Sequence, residues 1–164
     1  MTSREQADIH YNAKSYVQAI PLYRAAVETD PSDHYSWGQL VLSLGYANEH
    51  EAAIEAGKSA LRSHPRSAWL WRQLGNELFK LNRLEEAERA LDQSKRIDPK
   101  AEWLWRYYAQ LFKKQKKYTE EAKALEELLE LDKASSTDMN QIGIAHYNAG
   151  SYGKALAFYR MSAL

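Results

Sequence analysis

The 164-residue sequence contains no cysteine. This absence excludes disulfide frameworks, zinc sites built from thiolates and cysteine nucleophiles. Apolar runs of the roughly 20 residues that a membrane-spanning helix needs are also missing. The first six residues, MTSREQ, lack the apolar segment of a signal peptide. These absences predict a cytoplasmic protein that does not insert into a membrane.

An excess of charge of either sign is missing too, because 22 basic side chains balance 22 acidic ones. A balanced chain has no overall field that attracts nucleic acid or an anionic membrane. The four lysines between Lys113 and Lys117 lack the interleaved aromatics of single-stranded nucleic-acid sites. They are expected to lie at a helix end, where cations complement the helix dipole. Nucleic acid is therefore not an expected partner.

Motifs that carry chemistry are missing as well. The sequence has no glycine-rich phosphate loop, and none of its histidines forms an HExxH or a close His-Asp motif of the metalloprotease kind. The five histidines are dispersed along the chain: His10, His34, His50, His64 and His146. His10 and His146 are interpreted as half-buried, hydrogen-bonded side chains. The sequence predicts neither an enzyme nor a bound cofactor or metal ion.

What the sequence does have is a regular repeat of 34 residues. Three prolines stand 34 residues apart, and a tryptophan follows each of them by six residues. These residues are Pro31, Pro65 and Pro99 with Trp37, Trp71 and Trp105. Near the two ends, HYNAKSY at 10–16 recurs as HYNAGSY at 146–152, an offset of 136, or four times 34. The chain therefore contains five copies, the last one shortened.

Each copy contains two blocks of apolar residues at helical spacing, separated by a polar step. Ten helices and no strand are predicted, at about 3–13, 17–28, 34–46, 51–62, 68–80, 84–95, 102–115, 118–131, 136–148 and 152–163. Cap-like pairs are expected to begin several second helices: Ser15 with Gln18, Asn48 with Glu51, and Asn82 with Glu85.

The pattern resembles the tetratricopeptide repeat family, whose signature is W-x2-L-G-x2-Y, A-x3-F, A, P. The third copy fits this signature closely, with Trp71, Leu74, Gly75, Leu78, Leu84, Ala87, Leu91 and Pro99. The fourth copy departs from it, because Glu121 stands in the small-residue column, Ala122 follows one place late and Lys133 replaces the proline.

The resemblance implies an all-α fold, a right-handed α-solenoid of stacked helix-turn-helix repeats. The expected organisation is one array over 1–164, with repeats at about 1–33, 34–67, 68–101, 102–135 and 136–164. Members of the family bind proteins or peptides in a concave groove that the first helix of each pair forms. The Lys and Asn clamp of members that hold chaperone tails is not expected here, because Asp8 would repel a carboxylate.

Two copies carry an additional tryptophan, Trp69 before Trp71 and Trp103 before Trp105. Residues two apart on a helix diverge by about 200°, so the additional indoles should point away from the core. Their stripe defines the candidate groove: Tyr35, Leu42, Trp69, Arg72, Asn76, Trp103, Arg106, Gln110, Asn140 and Tyr147. Two arginines beside two tryptophans suit a peptide with an acidic segment. Alternatively, Trp69 and Trp103 pad the contact between neighbouring first helices.

The last predicted helix has apolar residues with no following repeat to cover them, at Leu156, Phe158, Tyr159 and Met161. This leaves two further functional readings open beside peptide binding. The chain could form a homodimer through its C-terminal helix as a self-assembly module, or it could be the regulatory arm of a larger protein.

Overall fold

Ten α-helices and no β-strand make up the computed structural model, which describes residues 1–164. The helices are α1 (Ser3–Asn12), α2 (Tyr16–Thr29), α3 (His34–Tyr46), α4 (His50–Ser63), α5 (Ala68–Lys80), α6 (Leu84–Ile97), α7 (Glu102–Lys114), α8 (Tyr118–Glu130), α9 (Ser136–Asn148) and α10 (Tyr152–Ser162). The predicted all-α class is confirmed, and no helix end differs from its predicted position by more than two residues.

The helices belong to two compact units, Met1–Ile97 and Asp98–Leu164. In unit 1, which holds α1 to α6, each helix packs against the next, and the first helices α3 and α5 also contact each other. In unit 2, α7 packs on α8, α8 on α9 and α9 on α10. Each unit is thus a stack of helical hairpins, in which the apolar face of one hairpin is buried by its neighbour.

Every hairpin turns through a residue with positive φ. These residues are Lys14, Asn48, Asn82, Lys116 and Gly150, with φ between 57° and 78°. The next residue donates its backbone N–H to the carbonyl five positions earlier, as from Glu49 to Leu44 at 2.9 Å. This is a Schellman motif, which satisfies carbonyls at the end of the first helix. The polar turn residues therefore end first helices.

The predicted caps of the second helices are consequently wrong. Asn48 and Asn82 occupy the left-handed position of the turn, where asparagine is tolerated better than most residues. Ser15 does precede α2, but its side chain makes no capping hydrogen bond. Side-chain caps occur at first helices instead, at Thr2, Asp33, Ser67 and Ser135.

The constant spacing of proline and tryptophan has a direct cause. In unit 1 the indole Nε1–H of Trp37 donates to the carbonyl of Pro31 at 3.0 Å, and Trp71 donates to Pro65 at the same distance. In unit 2 Trp105 donates to Pro99 at 2.9 Å. The indole therefore fixes the loop that enters each first helix, in addition to filling space between helices.

One column of the repeat holds small residues, which let neighbouring helix backbones approach each other. It holds Ala19, Ala53, Ala87 and Ala155, all buried, as the small residue of the family signature requires. In the fourth copy the same column holds Glu121, which is also buried, with 4% of its surface exposed. The unusual residue does not interrupt α8, which is as long as α7.

Candidate binding surfaces

In unit 1 the additional tryptophan lies between two first helices. A Cβ atom on Gly38 of α3 would stand only 2.8 Å from the Trp69 ring of α5, so the indole rests directly on the glycine backbone. Trp69 is nevertheless only half-buried. It therefore packs against the neighbouring helix with one part of the ring and presents another part to solvent.

Beside this indole is a shallow depression of about 160 Å³, lined by His34, Tyr35, Gly38, Gln39 and Trp69. The His34 ring lies 6.3 Å from that of Trp69, and its Nε2 is 2.8 Å from the Ser67 hydroxyl. Burial, and then the neighbouring His64, lowers the pKa of His34. Its imidazole is therefore held toward the neutral form, which adds a polar but uncharged wall to an aromatic depression.

The other predicted stripe residues of unit 1 lie on the same two helices. Leu42 is on α3, whereas Arg72 and Asn76 are on α5, and all three are half-buried. The structure thus brings the unit 1 part of the candidate stripe onto two helices that touch each other.

A carboxylate of α1, which sequence reasoning did not assign to the stripe, organises one side of this surface. Asp8 Oδ1 accepts hydrogen bonds from the hydroxyls of Tyr23, at 2.6 Å, and Tyr35, at 3.0 Å. The Arg4 guanidinium lies 4.8 Å from the centre of the Tyr35 ring. Burial, and then the bond to Asp8, raises the pKa of Tyr35. Tyr35 is therefore fixed in position although it is exposed.

Tyrosines also cluster at the other end of these helices. The Tyr16 ring lies 4.7 Å from that of Tyr46 and 5.5 Å from that of Tyr11. Burial, and then the Tyr46 hydroxyl, raises the pKa of Tyr11 to about 12. Tyr46 stays exposed. The repeated HYNA segment gave a sequence signal for part of this cluster, but not for the contact with Tyr46.

In unit 2 the predicted groove arginine is engaged in an ion-pair network. Arg106 of α7 donates to Asp138 of α9 at 2.6 and 3.2 Å, and to Glu102 at 2.9 Å. Ser135, the N-cap of α9, donates to the same Asp138 carboxylate. Burial alone would raise the pKa of Asp138, but the bonds from Arg106 and Ser135 hold it below its usual range. Arg106 therefore links two first helices.

The remaining predicted residues of unit 2 are distributed over α7 and α9. Trp103 is half-buried, with its ring 6.5 Å from that of Tyr107. Gln110 and Asn140 are exposed. Tyr147 is exposed too, and its ring lies 5.3 Å from that of Tyr152 on α10.

The last helix is covered more fully than its sequence predicts. Phe158 stacks on His146 at 5.7 Å, and Tyr159 packs where a Cβ atom on Gly143 would lie. His146 is buried and bonds to Glu126 at 2.8 Å, which confirms its interpretation as a hydrogen-bonded histidine. Leu156 and Met161 remain exposed, as predicted.

No three acidic or histidine side chains come close enough together to hold a metal ion. None of the ten helices combines the length and apolar character needed to cross a bilayer.

Comparison with known proteins agrees with the repeat architecture. Residues 46–111 match the family model described as tetratricopeptide repeat. No curated protein sequence matches the chain.

Solved structures match nearly the whole chain. A crystal structure of MamA protein superposes with a TM-score of 0.87 and 16% identity, covering 98% of this chain and 87% of that one. PilF of Pseudomonas aeruginosa superposes with a TM-score of 0.77 and 21% identity, over 98% and 73% of the two chains.

YrrB, described as a tetratricopeptide repeat protein with an unusual peptide-binding site, gives a TM-score of 0.79 and 16% identity, over 98% and 82%. Identities this low show the fold alone. Proteins with this fold generally mediate protein–protein interactions. Residues 46–111 thus match the tetratricopeptide repeat family, and the 34-residue period and the ten helices extend the same repeat architecture over the rest of the chain.

Proposed function

We propose that the chain is a non-enzymatic scaffold that binds a protein or peptide through the faces of its first helices. The observation that carries this proposal is the aromatic depression of unit 1, where Tyr35 and Trp69 flank Gly38. Tryptophan and tyrosine contribute large buried areas and directional hydrogen bonds when a partner covers them, and they dominate binding hot spots.

The depression suits a flexible partner because its walls are already fixed. Asp8 holds the Tyr35 hydroxyl, and Gly38 seats the indole of Trp69. A partner therefore does not have to order these side chains, which reduces the entropic cost of binding. The contact of Trp69 with α3 and its proposed role in binding are compatible, since only part of the ring is covered.

The proposed partner carries an acidic segment, and we assign the binding of this segment to unit 1. Arg72 follows Trp69 by three positions on α5, so both side chains belong to one helix face. Arg106 is less suited to this role, because two carboxylates already neutralise its guanidinium. The peptide-binding site described for YrrB is consistent with this use of the fold.

Selection of peptides from a random display library tests the proposal. We expect the wild-type chain to enrich a shared motif and the Trp69→Ala chain to lose it, with binding of selected peptides at least about tenfold weaker, as for hot-spot residues. Val17→Ala, an exposed apolar truncation on α2, is the matched control. Equal enrichment by the wild-type and Trp69→Ala chains, both helical by circular dichroism, would exclude this depression as the site.

Self-association through α10 is a second candidate function, favoured by the exposed apolar side chains of that helix. Tyr152, Leu156 and Met161 are 64%, 51% and 44% exposed. Light scattering should then show a mass that rises toward that of a dimer with concentration, and Leu156→Glu should abolish the rise. Ala157→Glu, at the adjacent exposed position, is the control. A monomer mass at every concentration rules this candidate out.

A further inference from the structure

In the fourth repeat a carboxylate replaces the alanine of the other repeats. Glu121 stands in the column of Ala19, Ala53, Ala87 and Ala155, all of which are buried. An alanine there needs no partner, but a buried carboxylate does, because removal from water without compensating hydrogen bonds costs free energy. The fourth repeat therefore has a polar group where its fold needs only a small one.

Glu121 lines a pocket of about 320 Å³ that lies entirely within unit 2. First helices α7 and α9 supply most of the lining, with Gln110 on α7 and Gln141 on α9, and α8 supplies Glu121 itself. Only 4% of the surface of Glu121 is exposed, so the residue is almost fully buried where it lines this pocket.

The charged neighbours in the pocket do not neutralise this carboxylate. Arg106 is directed to Asp138 and Glu102, and Asp138 is held by Arg106 and Ser135. Lys113 is exposed and acts on Glu121 only through its charge, which lowers the pKa less than burial raises it. Neither Arg106 nor Lys113 therefore forms an ion pair with Glu121, and burial keeps the pKa of its carboxyl group raised.

We propose that this pocket binds a lysine or arginine side chain of the protein or peptide partner, with Glu121 as the anion that receives it. The inference rests on the proposed function and specifies the chemistry of one contact. An ammonium or guanidinium group brings only donors. Such donors match the Glu121 carboxylate and the amide oxygens of Gln110 and Gln141, whereas an acidic side chain would meet a buried like charge.

Nuclear magnetic resonance titration with four blocked pentapeptides tests this contact. The probes are acetyl-Gly-Ser-X-Ser-Gly-amide in which X is arginine, lysine, norleucine or glutamate. We expect the arginine and lysine peptides to give saturable shifts in the side-chain amide signals of Gln110 and Gln141. The norleucine and glutamate peptides should bind at least about tenfold more weakly than the arginine peptide, because they form no charge-assisted hydrogen bond with Glu121.

Two variants assign the effect to the carboxylate. Glu121→Gln keeps the shape and removes the charge, and should weaken the arginine peptide about tenfold while leaving the norleucine peptide unchanged. Glu121→Ala restores the residue of the other repeats, so its fold is not at risk. Glu120→Gln removes the neighbouring exposed charge and should have no effect on either peptide.

The proposal is overturned if the arginine peptide produces no saturable shifts at these signals, if it binds no better than the norleucine peptide, or if the glutamate peptide binds best. These outcomes are separable from failure of the proposed function. A chain that selects library peptides through Trp69 but shows no preference for a cation at this pocket retains its proposed function and loses only the anchor.

Discussion

Gly38 of unit 1 and Arg106 of unit 2 stand in the same repeat column, 68 residues or two repeats apart, but join neighbouring first helices in opposite ways. The other members of this column are Arg4, Arg72 and Asn140. At Gly38 the missing side chain lets the Trp69 indole of the next first helix rest on the backbone. At Arg106 a long side chain fills the equivalent space and reaches Asp138 of its next first helix.

The difference shows how one scaffold makes two kinds of surface without altering its helices. Both residues join neighbouring first helices, one through an aromatic contact and the other through a charge-assisted hydrogen bond. Only the aromatic contact leaves an uncharged depression beside it. In unit 2 the ion pair forms a wall of the polar pocket that contains Glu121.

The largest expected effect comes from breaking the ion pair of unit 2. Asp138→Ala removes the partner of Arg106 and the hydrogen bonds to the N-cap residue Ser135. We expect the free energy of unfolding to fall by about 3 kcal/mol, since the carboxylate is buried and caps a helix as well. Urea denaturation measures this loss. Thr137→Ala, on the same turn but exposed, should cost well under about 1 kcal/mol.

A smaller effect of opposite sign is expected at the other carboxylate of the same pocket. Glu121→Ala removes a buried charge that lacks a close cation and restores the alanine of the repeat column. The free energy of unfolding at neutral pH should rise by about 1–2 kcal/mol, as measured by urea denaturation. The exposed Glu120→Ala change provides the baseline. A loss of stability in the Glu121 variant would mean that the carboxylate has a stabilising partner within the chain.

The two carboxylates should also differ in the sign of their pH dependence. The pKa of Asp138 is lowered in the folded chain, so its stabilisation is present above the unfolded-state pKa and is lost as the pH falls through the folded-state pKa. The pKa of Glu121 is raised, so its unfavourable contribution is full above the folded-state pKa and fades as the pH falls toward the unfolded-state value.

Asp138→Asn should therefore reduce the amount of stability that is lost on acidification. Glu121→Gln should increase this amount, because protonation of Glu121 in the wild-type chain recovers some stability as the pH falls. Urea denaturation from neutral to acidic pH measures both changes. Equal slopes in the two variants would contradict the difference in environment.

The smallest change in stability is expected at Gly38. Alanine there improves helix propensity by about 1 kcal/mol, but its Cβ atom would stand 2.8 Å from the Trp69 ring. The two effects on stability should nearly cancel, while the Trp69 indole moves outward. In protein labelled with 5-fluorotryptophan, the fluorine nuclear magnetic resonance signal of Trp69 should therefore shift. Gly153→Ala in α10, whose Cβ atom would meet nothing within 4 Å, is the control and should only gain stability. An unchanged Trp69 signal in the Gly38 variant would show that the indole is not seated on this glycine.

The accuracy of sequence-based prediction differs between the helices and the surfaces for a physical reason. Helix positions follow from the 3.6-residue apolar period and from polar turns, both of which are local. The caps were wrong because Asn48 has two suitable local roles, as an N-cap or as a left-handed turn residue. Only the hydrogen bond from Glu49 to Leu44 decides between them.

The sequence by itself determined the helical hairpins, their period, the constant spacing of proline and tryptophan, and the unusual position of Glu121. These features depend on spacing within one repeat, and spacing is what a sequence records. Tertiary structure alone decided that Arg106 meets Asp138, that Asp8 holds Tyr35 and that Trp69 rests on Gly38. Each of those contacts joins residues from different hairpins, so its geometry exists only after the hairpins have packed together.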